Sequence, residues 1–316
     1  MKCVLLDKES LDIGDIDFSH VEAQCKELVY YDYTNPEQLR DRIQDADIVI
    51  SNKVVLNESA IASARQLKLI CVAATGYNNV DIDAAQKHSV AVCNVTGYAT
   101  SSVVQHVFAL ILNLARSLPD YSNAVKQHKW QQSRQFCLLD YPIIDVQDKN
   151  LGILGYGELG HAVAEMGKAF GMNILIAESL TGRKQQGRIP LDEFFATSDI
   201  ITLHCPLTEE SKEIINQKTL ALMKPTAFLI NAARGGVVNE HDLWNALLDK
   251  QIAGAALDVV SKEPPEENIL LDKPLPNLII TPHIAWASQK GRQKLVDEIG
   301  ENIGAFNRGE KRNLIG

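Results

Sequence analysis

The second half of the chain repeats one pattern, in which a short apolar run is followed by a stretch with helical periodicity. Amphipathic stretches such as ELGHAVAEMGKAF (158–170) and NEHDLWNALL (239–248) separate most of the apolar runs. Strands that alternate with helices at this spacing predict a parallel, doubly wound α/β sheet. The apolar runs are LGIL (151–154), NILIA (173–177), IITLH (200–204), AFLIN (227–231), GAALDV (254–259) and NLIIT (277–281).

A glycine-rich turn joins the first of these runs to its helix. The turn LGILGYGELG carries Gly155, Gly157 and Gly160. In a dinucleotide site the first glycine permits a tight turn, the second lets the backbone approach a pyrophosphate, and the third lets the helix pack against the strand. The helix N-terminus offers N–H groups and the positive end of its dipole to the phosphates. The motif therefore predicts a dinucleotide site, the alternative being an ordinary tight strand–helix turn.

An acidic residue stands where a dinucleotide site needs one. Glu178 directly follows the second apolar run, 18 positions after Gly160. An acidic residue about 20 positions downstream hydrogen-bonds the adenosine ribose in such sites. Glu178 would repel a 2′-phosphate, so the sequence favours NAD over NADP. Arg183 and Lys184 follow closely and could instead contact a phosphate, which leaves the preference open.

The composition and net charge limit the binding partners and the cellular compartment that we expect for this chain. The chain has 316 residues, of which 46% are hydrophobic, and a net charge of −9. This is a globular composition, and the length suggests two domains. The acidic balance argues against nucleic acid and anionic membrane as partners, and no apolar stretch reaches the roughly 18 residues of a membrane span. Early acidic residues argue against a signal peptide, and six cysteines without a CxxC pair predict reduced thiols in a cytoplasmic protein.

The first part of the chain predicts a second α/β unit. Residues 1–98 alternate short apolar runs, such as CVLL (3–6), with helical stretches, such as PEQLRDRI (36–43). A long apolar helix follows at 103–118, and an amphipathic helix after position 288 closes the chain. We expect this last helix to pack back on the N-terminal part. The predicted domains are a discontinuous one of residues 1–99 and 285–316 and an inserted one of residues 100–284.

Three chemically useful side chains follow predicted strands. Arg234 follows AFLIN, Glu263 lies in the loop after GAALDV, and His283 follows NLIIT. In open α/β sheets ligands bind beyond the carboxyl ends of the strands, so these side chains are expected to converge on one edge, beside the glycine turn. Singly, each has a plainer interpretation: a surface cation, a turn residue before proline, and a strand cap. Their joint occurrence at one edge favours a catalytic site.

The chemistry that these three residues share is hydride transfer to a carbonyl group. Reduction needs a proton for the carbonyl oxygen, and histidine titrates near neutral pH. A carboxylate bonded to the imidazole would fix its tautomer and favour its protonated form. Arginine presents a planar fork that matches a carboxylate. The predicted substrate is therefore a 2-oxo or 2-hydroxy acid.

The same residues carry a resemblance to a known family. Over nearly its whole length the chain resembles the D-isomer-specific 2-hydroxyacid dehydrogenases. The resemblance implies a Rossmann-type NAD domain, a discontinuous flavodoxin-like α/β substrate domain, and a homodimer formed around the NAD domains. The matching segments are ATGYNNVD (74–81), GYATSSVVQH (97–106), LGILGYGELG (151–160), LHCPLT (203–208), MKPTAFLINAARGGVVNE (223–240), AGAALDVVSKEPP (253–265) and TPHIAWAS (281–288).

The resemblance also implies residue roles. His283 matches the histidine that acts as general acid, Glu263 its carboxylate partner, and Arg234 the arginine that binds the substrate. The other implied substrate contacts are Lys53, Gly76, Tyr77 and Trp286, of which Lys53 is otherwise a solvated loop lysine. The implied contacts to NAD are Thr75, Gly155, Gly157, Glu158, Leu159, Gly160, Glu178, Cys205, Pro206, Ala232 and Asp258.

Within the family, the chain is most similar to the glycerate dehydrogenase, or hydroxypyruvate reductase, subgroup. SNKVVL (51–56), VVQH (103–106), FCLLDYPI (136–143) and Trp286 carry this similarity. It implies reduction of hydroxypyruvate or glyoxylate by NADH, to D-glycerate or glycolate, with Trp286 walling a small pocket. The same chemistry on phosphoglycerate, D-lactate or a branched-chain acid stays open. A non-enzymatic, NADH-responsive binding protein is the alternative from another class.

Overall fold

Two compact units make up the chain. The computed structural model describes residues 1–182 and 185–315. The discontinuous unit consists of Met1–Ala99 and Trp286–Gly316, and the inserted unit is Thr100–Ala285. The inserted unit therefore ends at Ala285, one residue later than the predicted end at 284. Arg183 and Lys184, which the sequence suggested as phosphate contacts, lie outside the described residues.

The strands within the described residues form two six-stranded sheets, one in each unit. In chain order they are β1 (Lys2–Leu5), β2 (Glu27–Tyr30), β3 (Ile48–Ser51), β4 (Leu69–Val72), β5 (Ala91–Cys93), β6 (Asn150–Leu154), β7 (Asn173–Ile176), β8 (Ile200–Leu203), β9 (Phe228–Asn231), β10 (Gly254–Leu257), β11 (Leu278–Ile280) and β12 (Leu314–Ile315). All six apolar runs after position 150 contain a strand.

The α-helices of the described residues lie between these strands. In chain order they are α1 (Ser19–Glu22), α2 (Pro36–Ile43), α3 (Glu58–Ser63), α4 (Ile82–Lys87), α5 (Thr100–Arg116), α6 (Leu118–Lys126), α7 (Glu158–Ala169), α8 (Leu191–Thr197), α9 (Gln217–Leu222), α10 (Glu240–Leu248), α11 (Ile269–Asp272) and α12 (Gln289–Asn307). The helix predicted at 36–43 is confirmed with both ends. Asn35 caps its start, directly before Pro36, and forms a capping box with Gln38.

The sheet of the inserted unit is parallel throughout, in the order β7-β6-β8-β9-β10-β11. The predicted doubly wound sheet is therefore confirmed. The chain leaves β6 toward β7 on one side and returns to β8 on the other, so the strand order reverses between β6 and β8. Ligands bind beyond the carboxyl ends of the strands at such a reversal. There the last residues of the two strands, Leu154 and Leu203, are register partners.

Helices cover this sheet and close its core. Phe194 and Phe195 of α8 are fully buried, in one cluster with Leu203 of β8 and Leu229 of β9. Helix α7 contacts β6 and β7, while α5 contacts β9 and β10. A parallel sheet needs this cover, because its strands bury apolar side chains on both faces.

The sheet of the discontinuous unit has the order β2-β1-β3-β4-β5-β12. Its first five strands are parallel and follow the order of flavodoxin-like folds, whereas β12 pairs antiparallel with β5. Helix α12 closes one face, where Leu295, Val296 and Ile299 join the core formed by β1, β3 and β4. The expectation that the last helix packs on the N-terminal part is confirmed.

Two cysteines depart from the sequence prediction. Cys3 on β1 and Cys25 ahead of β2 form a disulfide, with their Cα atoms 6.1 Å apart. The expectation of reduced thiols throughout was wrong for this pair, because residue spacing does not reveal which cysteines a sheet brings together. Cys71 and Cys93 are free thiols on neighbouring strands, and their sulfurs lie 3.4 Å apart.

Helix α5 is a long and mostly apolar helix of the inserted unit. It ends at Arg116, where Ser117 adopts a left-handed conformation with φ 46° and Pro119 lies at the start of α6. Within residues 1–182 and 185–315, no single helix is long and apolar enough to cross a membrane. Helices α5 and α6 meet that test only as a pair, which is bent by 62°.

Candidate active site

The glycine turn is packed too closely for any other residue at two of its positions. Gly155, which follows β6, has φ +94°, and a Cβ atom there would lie 2.5 Å from the backbone nitrogen of Cys205. A Cβ atom on Gly160 would lie 2.2 Å from the carbonyl oxygen of Gly155. The turn therefore sits directly against the end of β8, at the point where the strand order reverses.

The second glycine of the turn, Gly157, faces open space. A Cβ atom on Gly157 would meet nothing within 4 Å. Gly157 is also the N-cap of α7, and it has no side chain to bond the first amides of the helix. This shape fits a dinucleotide pyrophosphate, which the amides of Glu158 and Leu159 would hold at the positive end of the α7 dipole.

The other predicted NAD contacts of the inserted unit follow the strands β7, β8 and β9. Cys205 and Pro206 follow β8, and burial raises the pKa of the Cys205 thiol to about 11, so this thiol stays neutral. Ala232 comes directly after β9. Glu178 is exposed after β7, and one of its carboxylate oxygens accepts a hydrogen bond from the amide of Leu191 at 3.1 Å. Glu178 thus also anchors the start of α8.

Glu263 and His283 form a direct pair. The Nδ1 atom of His283 lies 2.6 Å from Oε2 of Glu263. The other carboxylate oxygen of Glu263 accepts a hydrogen bond from the amide of Val260 at 3.0 Å. Because Nδ1 faces the carboxylate, Nε2 is the ring nitrogen that can exchange a proton with a substrate. Both side chains are about one-third exposed, so a ligand can reach them.

His283 has an unusual backbone conformation. It lies three positions beyond the end of β11, and its φ of 54° is in the left-handed region. Its amide lies 2.8 Å from the carbonyl oxygen of Asp258 and 3.0 Å from that of Thr281, and donates to both. The interpretation of His283 as a simple strand cap was therefore incomplete. A tight turn, braced by Asp258, sets the direction of the imidazole.

Asp258 lies at the centre of a hydrogen-bond cluster, with a side chain that is 1% exposed. Burial raises the pKa of this carboxyl, but the hydrogen bonds that it accepts outweigh burial and hold the pKa below its usual value. Its donors include the hydroxyl of Thr281 at 2.6 Å and the amides of Ile284 at 3.0 Å and Ala285 at 2.8 Å. The carboxylate predicted to meet the nicotinamide therefore also holds the residues around His283.

Arg234 lies in a turn after β9. Its guanidinium donates to the carbonyl oxygen of Ala233 at 2.6 Å, and its own carbonyl accepts from the side chain of Asn231 at 3.0 Å. The next residue, Gly235, packs directly on the backbone of Val260, where a Cβ atom would lie 1.9 Å from the carbonyl carbon. The turn that carries Arg234 is thereby joined to the loop that carries Glu263.

A buried carboxylate holds the loop that carries Lys53 in the discontinuous unit. Asp7, at the end of β1, accepts hydrogen bonds from the amides of Asn52 at 3.0 Å, Lys53 at 2.6 Å and Val54 at 3.3 Å. Burial raises the pKa of Asp7. Sequence reasoning missed Asp7, although its position directly after an apolar run is the signal that pointed to the other strand-end residues.

The predicted contacts at positions 75–77 lie in a second loop of this unit. The Thr75 hydroxyl donates to the carbonyl oxygen of Val95 at 2.9 Å, and the Tyr77 carbonyl accepts from the amide of Val80 at 3.0 Å. Gly76 lies between them. The side chain of Asn79 donates to the carbonyl of Val54 at 3.0 Å. That hydrogen bond joins this loop to the loop of Lys53.

Trp286 is the first residue of the returning segment of the discontinuous unit. Its ring packs edge-on against Tyr98, with centroids 6.3 Å apart and an interplanar angle of 73°. Edge-to-face packing of two large rings fixes the tryptophan orientation. Among the described residues, no group of three or more His, Cys, Asp or Glu side chains could hold a metal ion.

Comparison with known proteins decides the family. The family model for the D-isomer specific 2-hydroxyacid dehydrogenase, NAD binding domain, matches residues 108–285. The chain belongs to the D-isomer-specific 2-hydroxyacid dehydrogenases. It is therefore an NAD-dependent oxidoreductase that acts on a small-molecule substrate, and the matched NAD-binding residues lie within the inserted unit.

Relatives of this dehydrogenase cover the whole chain. Glycerate dehydrogenase of Methylorubrum extorquens is 43% identical over 99% of this chain and 98% of its own length. Hydroxypyruvate reductase of Blautia hydrogenotrophica is 37% identical over 100% of this chain and 99% of its own. Among solved structures, D-lactate dehydrogenase of Aquifex aeolicus, complexed with NAD and lactic acid, aligns with a TM-score of 0.83 and 28% identity, covering 100% and 99% of the two chains.

Proposed function

We propose that this dehydrogenase reduces hydroxypyruvate or glyoxylate, giving D-glycerate or glycolate, with His283 as the general acid. The observation that carries the mechanism is the 2.6 Å contact between His283 and Glu263 in the NAD-binding unit. The names of the two relatives that align over nearly the whole chain support the choice of substrate.

The residues have separate roles in the proposed reaction. NADH, when bound, supplies the hydride that the carbonyl carbon receives. The protonated imidazole of His283 donates a proton from Nε2 to the carbonyl oxygen, and the neutral ring then takes a proton from solvent. Glu263 holds Nδ1 and stabilises the charged ring before transfer. Arg234 pairs its guanidinium with the substrate carboxylate.

The proposal extends to the remaining substrate contacts. We assign these to Lys53, to the amides of Gly76 and Tyr77, and to Trp286. Asp7 supports this assignment for Lys53, because its three hydrogen bonds fix the backbone of the lysine loop. The edge-on contact with Tyr98 supports it for Trp286, because an anchored ring can limit the size of a pocket.

We also propose that this dehydrogenase is a homodimer. Several large apolar side chains are exposed in one stretch of the inserted unit, with Phe136 at 88% and Leu139 at 77% exposure. Large apolar side chains clustered at a surface are typical of an interface. The others in this stretch are Leu118, Val125, Trp130 and Ile143.

The first test measures NADH oxidation with hydroxypyruvate, glyoxylate, pyruvate and 2-oxoisocaproate in parallel. We expect the highest kcat/KM on hydroxypyruvate or glyoxylate. A preference for 2-oxoisocaproate would keep the mechanism and overturn the substrate. NADH binding without turnover on any of these acids would favour the binding-protein alternative.

The second test replaces the proposed acid. His283→Gln should lower kcat by about 100- to 10,000-fold, the range of general acid catalysis, and leave the Kd for NADH unchanged. His88→Gln, at an exposed position that ends α4, is the matched control and should keep wild-type turnover. Wild-type kcat in His283→Gln would show that another group donates the proton.

A further inference from the structure

A histidine that the proposed mechanism does not use lies behind His283. His106 lies in the middle of α5, with its side chain 18% exposed. Its Nε2 atom is 2.9 Å from the hydroxyl oxygen of Thr281 and 3.3 Å from Oδ1 of Asp258. These partners are 175 and 152 positions away in sequence, so the fold alone creates the contact.

The distances fix the direction of the hydrogen bonds. The Thr281 hydroxyl has one hydrogen and lies 2.6 Å from Oδ1 of Asp258, an ionised carboxylate that can only accept. The hydroxyl hydrogen therefore points at Asp258, and the hydroxyl oxygen must accept from His106. It follows that Nε2 of His106 carries a proton. The three groups form a directed chain from His106 through Thr281 to Asp258.

This chain of hydrogen bonds ends at Asp258, which holds the residues around His283 in position. The Asp258 carboxylate accepts the amides of Ile284 and Ala285, the two residues after the histidine. The Asp258 carbonyl accepts the amide of His283 itself. A left-handed conformation of a non-glycine residue is strained and persists only when its surroundings fix it. Movement of Asp258 would therefore release the turn and the imidazole.

We propose that His106 is a positioning residue for His283, acting through Thr281 and Asp258. The proposal rests on the proposed function, in which His283 donates the proton. His106 orients the Thr281 hydroxyl, the hydroxyl orients the Asp258 carboxylate, and the carboxylate holds the backbone on both sides of the acid. A displacement of about 1 Å at a reacting group can cost about 100-fold in rate.

The test compares two substitutions of His106. His106→Phe keeps a flat ring but removes the donor, and we expect kcat to fall by about 10- to 100-fold with the Kd for NADH within twofold of wild type. His106→Gln keeps an N–H donor and should recover most of kcat. Thr281→Val removes the middle link and should lower kcat in the same way. Gln105→Ala, the exposed neighbour on α5, is the control and should match wild type.

A second readout does not need turnover. The hydrogen-bonded Nδ1 proton of His283 should give a downfield proton NMR signal, which His283→Gln abolishes and so assigns. His106→Phe and Thr281→Val should shift or broaden this signal, and His106→Gln should preserve it. The NMR signal tests the positioning role of His106 even if the wild-type protein reduces none of the acids. Absence of turnover on all of the acids would refute only the proposed function.

Two results would overturn the proposal. One is wild-type kcat together with an unchanged His283 signal in folded His106→Phe. The other is an equal loss of NADH binding and kcat in His106→Phe, with a lower Tm, while Thr281→Val behaves as wild type. The second pattern would mean that His106 serves the general stability of α5.

Discussion

At the scale of single residues, Asp258 is both buried and charged, two properties that usually conflict. A carboxylate that is 1% exposed loses its hydration, which disfavours its charge. Here its two oxygens accept hydrogen bonds from the imidazole of His106, from a hydroxyl and from two amides, and the balance keeps the pKa below the usual value. The charge is therefore retained at neutral pH. It serves as the anchor on which the turn around His283 is built.

This anchor makes stability depend on pH in a definite direction. Because the folded-state pKa of Asp258 is lowered, its contribution is present above the unfolded pKa of about 3.9 and is lost as pH falls. Asp258→Asn should lower the free energy of unfolding by about 1–3 kcal/mol at pH 7, measured by urea titration. The difference from wild type should shrink at pH 4. Asp249→Asn, at the exposed end of α10, should change neither value.

Some of the residues of the candidate site could be predicted from the sequence, and others could not. Arg234, Glu263 and His283 could be selected because each follows an apolar run, and a parallel sheet brings such positions to one edge. Neither the left-handed turn at His283 nor the contact with His106 could be selected in this way. Both depend on distant backbone groups, whereas a periodic pattern reports only on local structure.

At the scale of elements, the glycine turn contains glycines that the fold requires and one that it does not require. Gly155 and Gly160 are required by the fold, since a Cβ atom on either would overlap backbone. Gly157 is not required by the fold, since a Cβ atom there would meet nothing within 4 Å. The open position is the one at which a ligand would replace solvent. The motif therefore contains two glycines that the fold requires and one, Gly157, for which the sequence predicts a binding role.

Two alanine substitutions test this distinction. Gly155→Ala should destabilise the protein by at least about 1–3 kcal/mol, seen as a lower Tm, because its φ of +94° is strained for alanine and the new Cβ atom would overlap the backbone of Cys205. Gly157→Ala should keep the wild-type Tm and raise the Kd for NADH by about tenfold, or roughly 1.4 kcal/mol. Intact NADH binding in Gly157→Ala would show that the pyrophosphate does not approach this position.

Other elements show the same limit of prediction. Helix α2 was predicted with both ends because its amphipathic pattern and the proline near its start are local in sequence. Strand β12 was not predicted, because it is two residues long and gains its place only by pairing antiparallel with β5. The Cys3–Cys25 disulfide was missed for a similar reason. Its partners meet through the pairing of β1 with β2, which spacing does not encode.

At the scale of the whole molecule, the proposed homodimer can be tested through its exposed apolar stretch. The double substitution Phe136→Asp and Leu139→Asp should convert a dimer into a monomer in light scattering, because burying two carboxylates at an interface is costly. Ile13→Asp, at a position of the other unit that is 83% exposed, should leave the mass unchanged. A wild-type monomer, or a double variant that stays dimeric, would contradict the proposed interface.

The discontinuous unit also sets an order of events during synthesis. Its core includes Leu295, Val296, Ile299 and Ile303 of α12, which the ribosome makes after the whole inserted unit. At roughly 5–20 residues per second, residues 1–99 wait on the order of 10 to 40 s for the helix that completes their core. During that interval the inserted unit can fold, while one face of the N-terminal sheet stays uncovered. The nascent chain therefore presents an incomplete sheet to chaperones until α12 has left the ribosome.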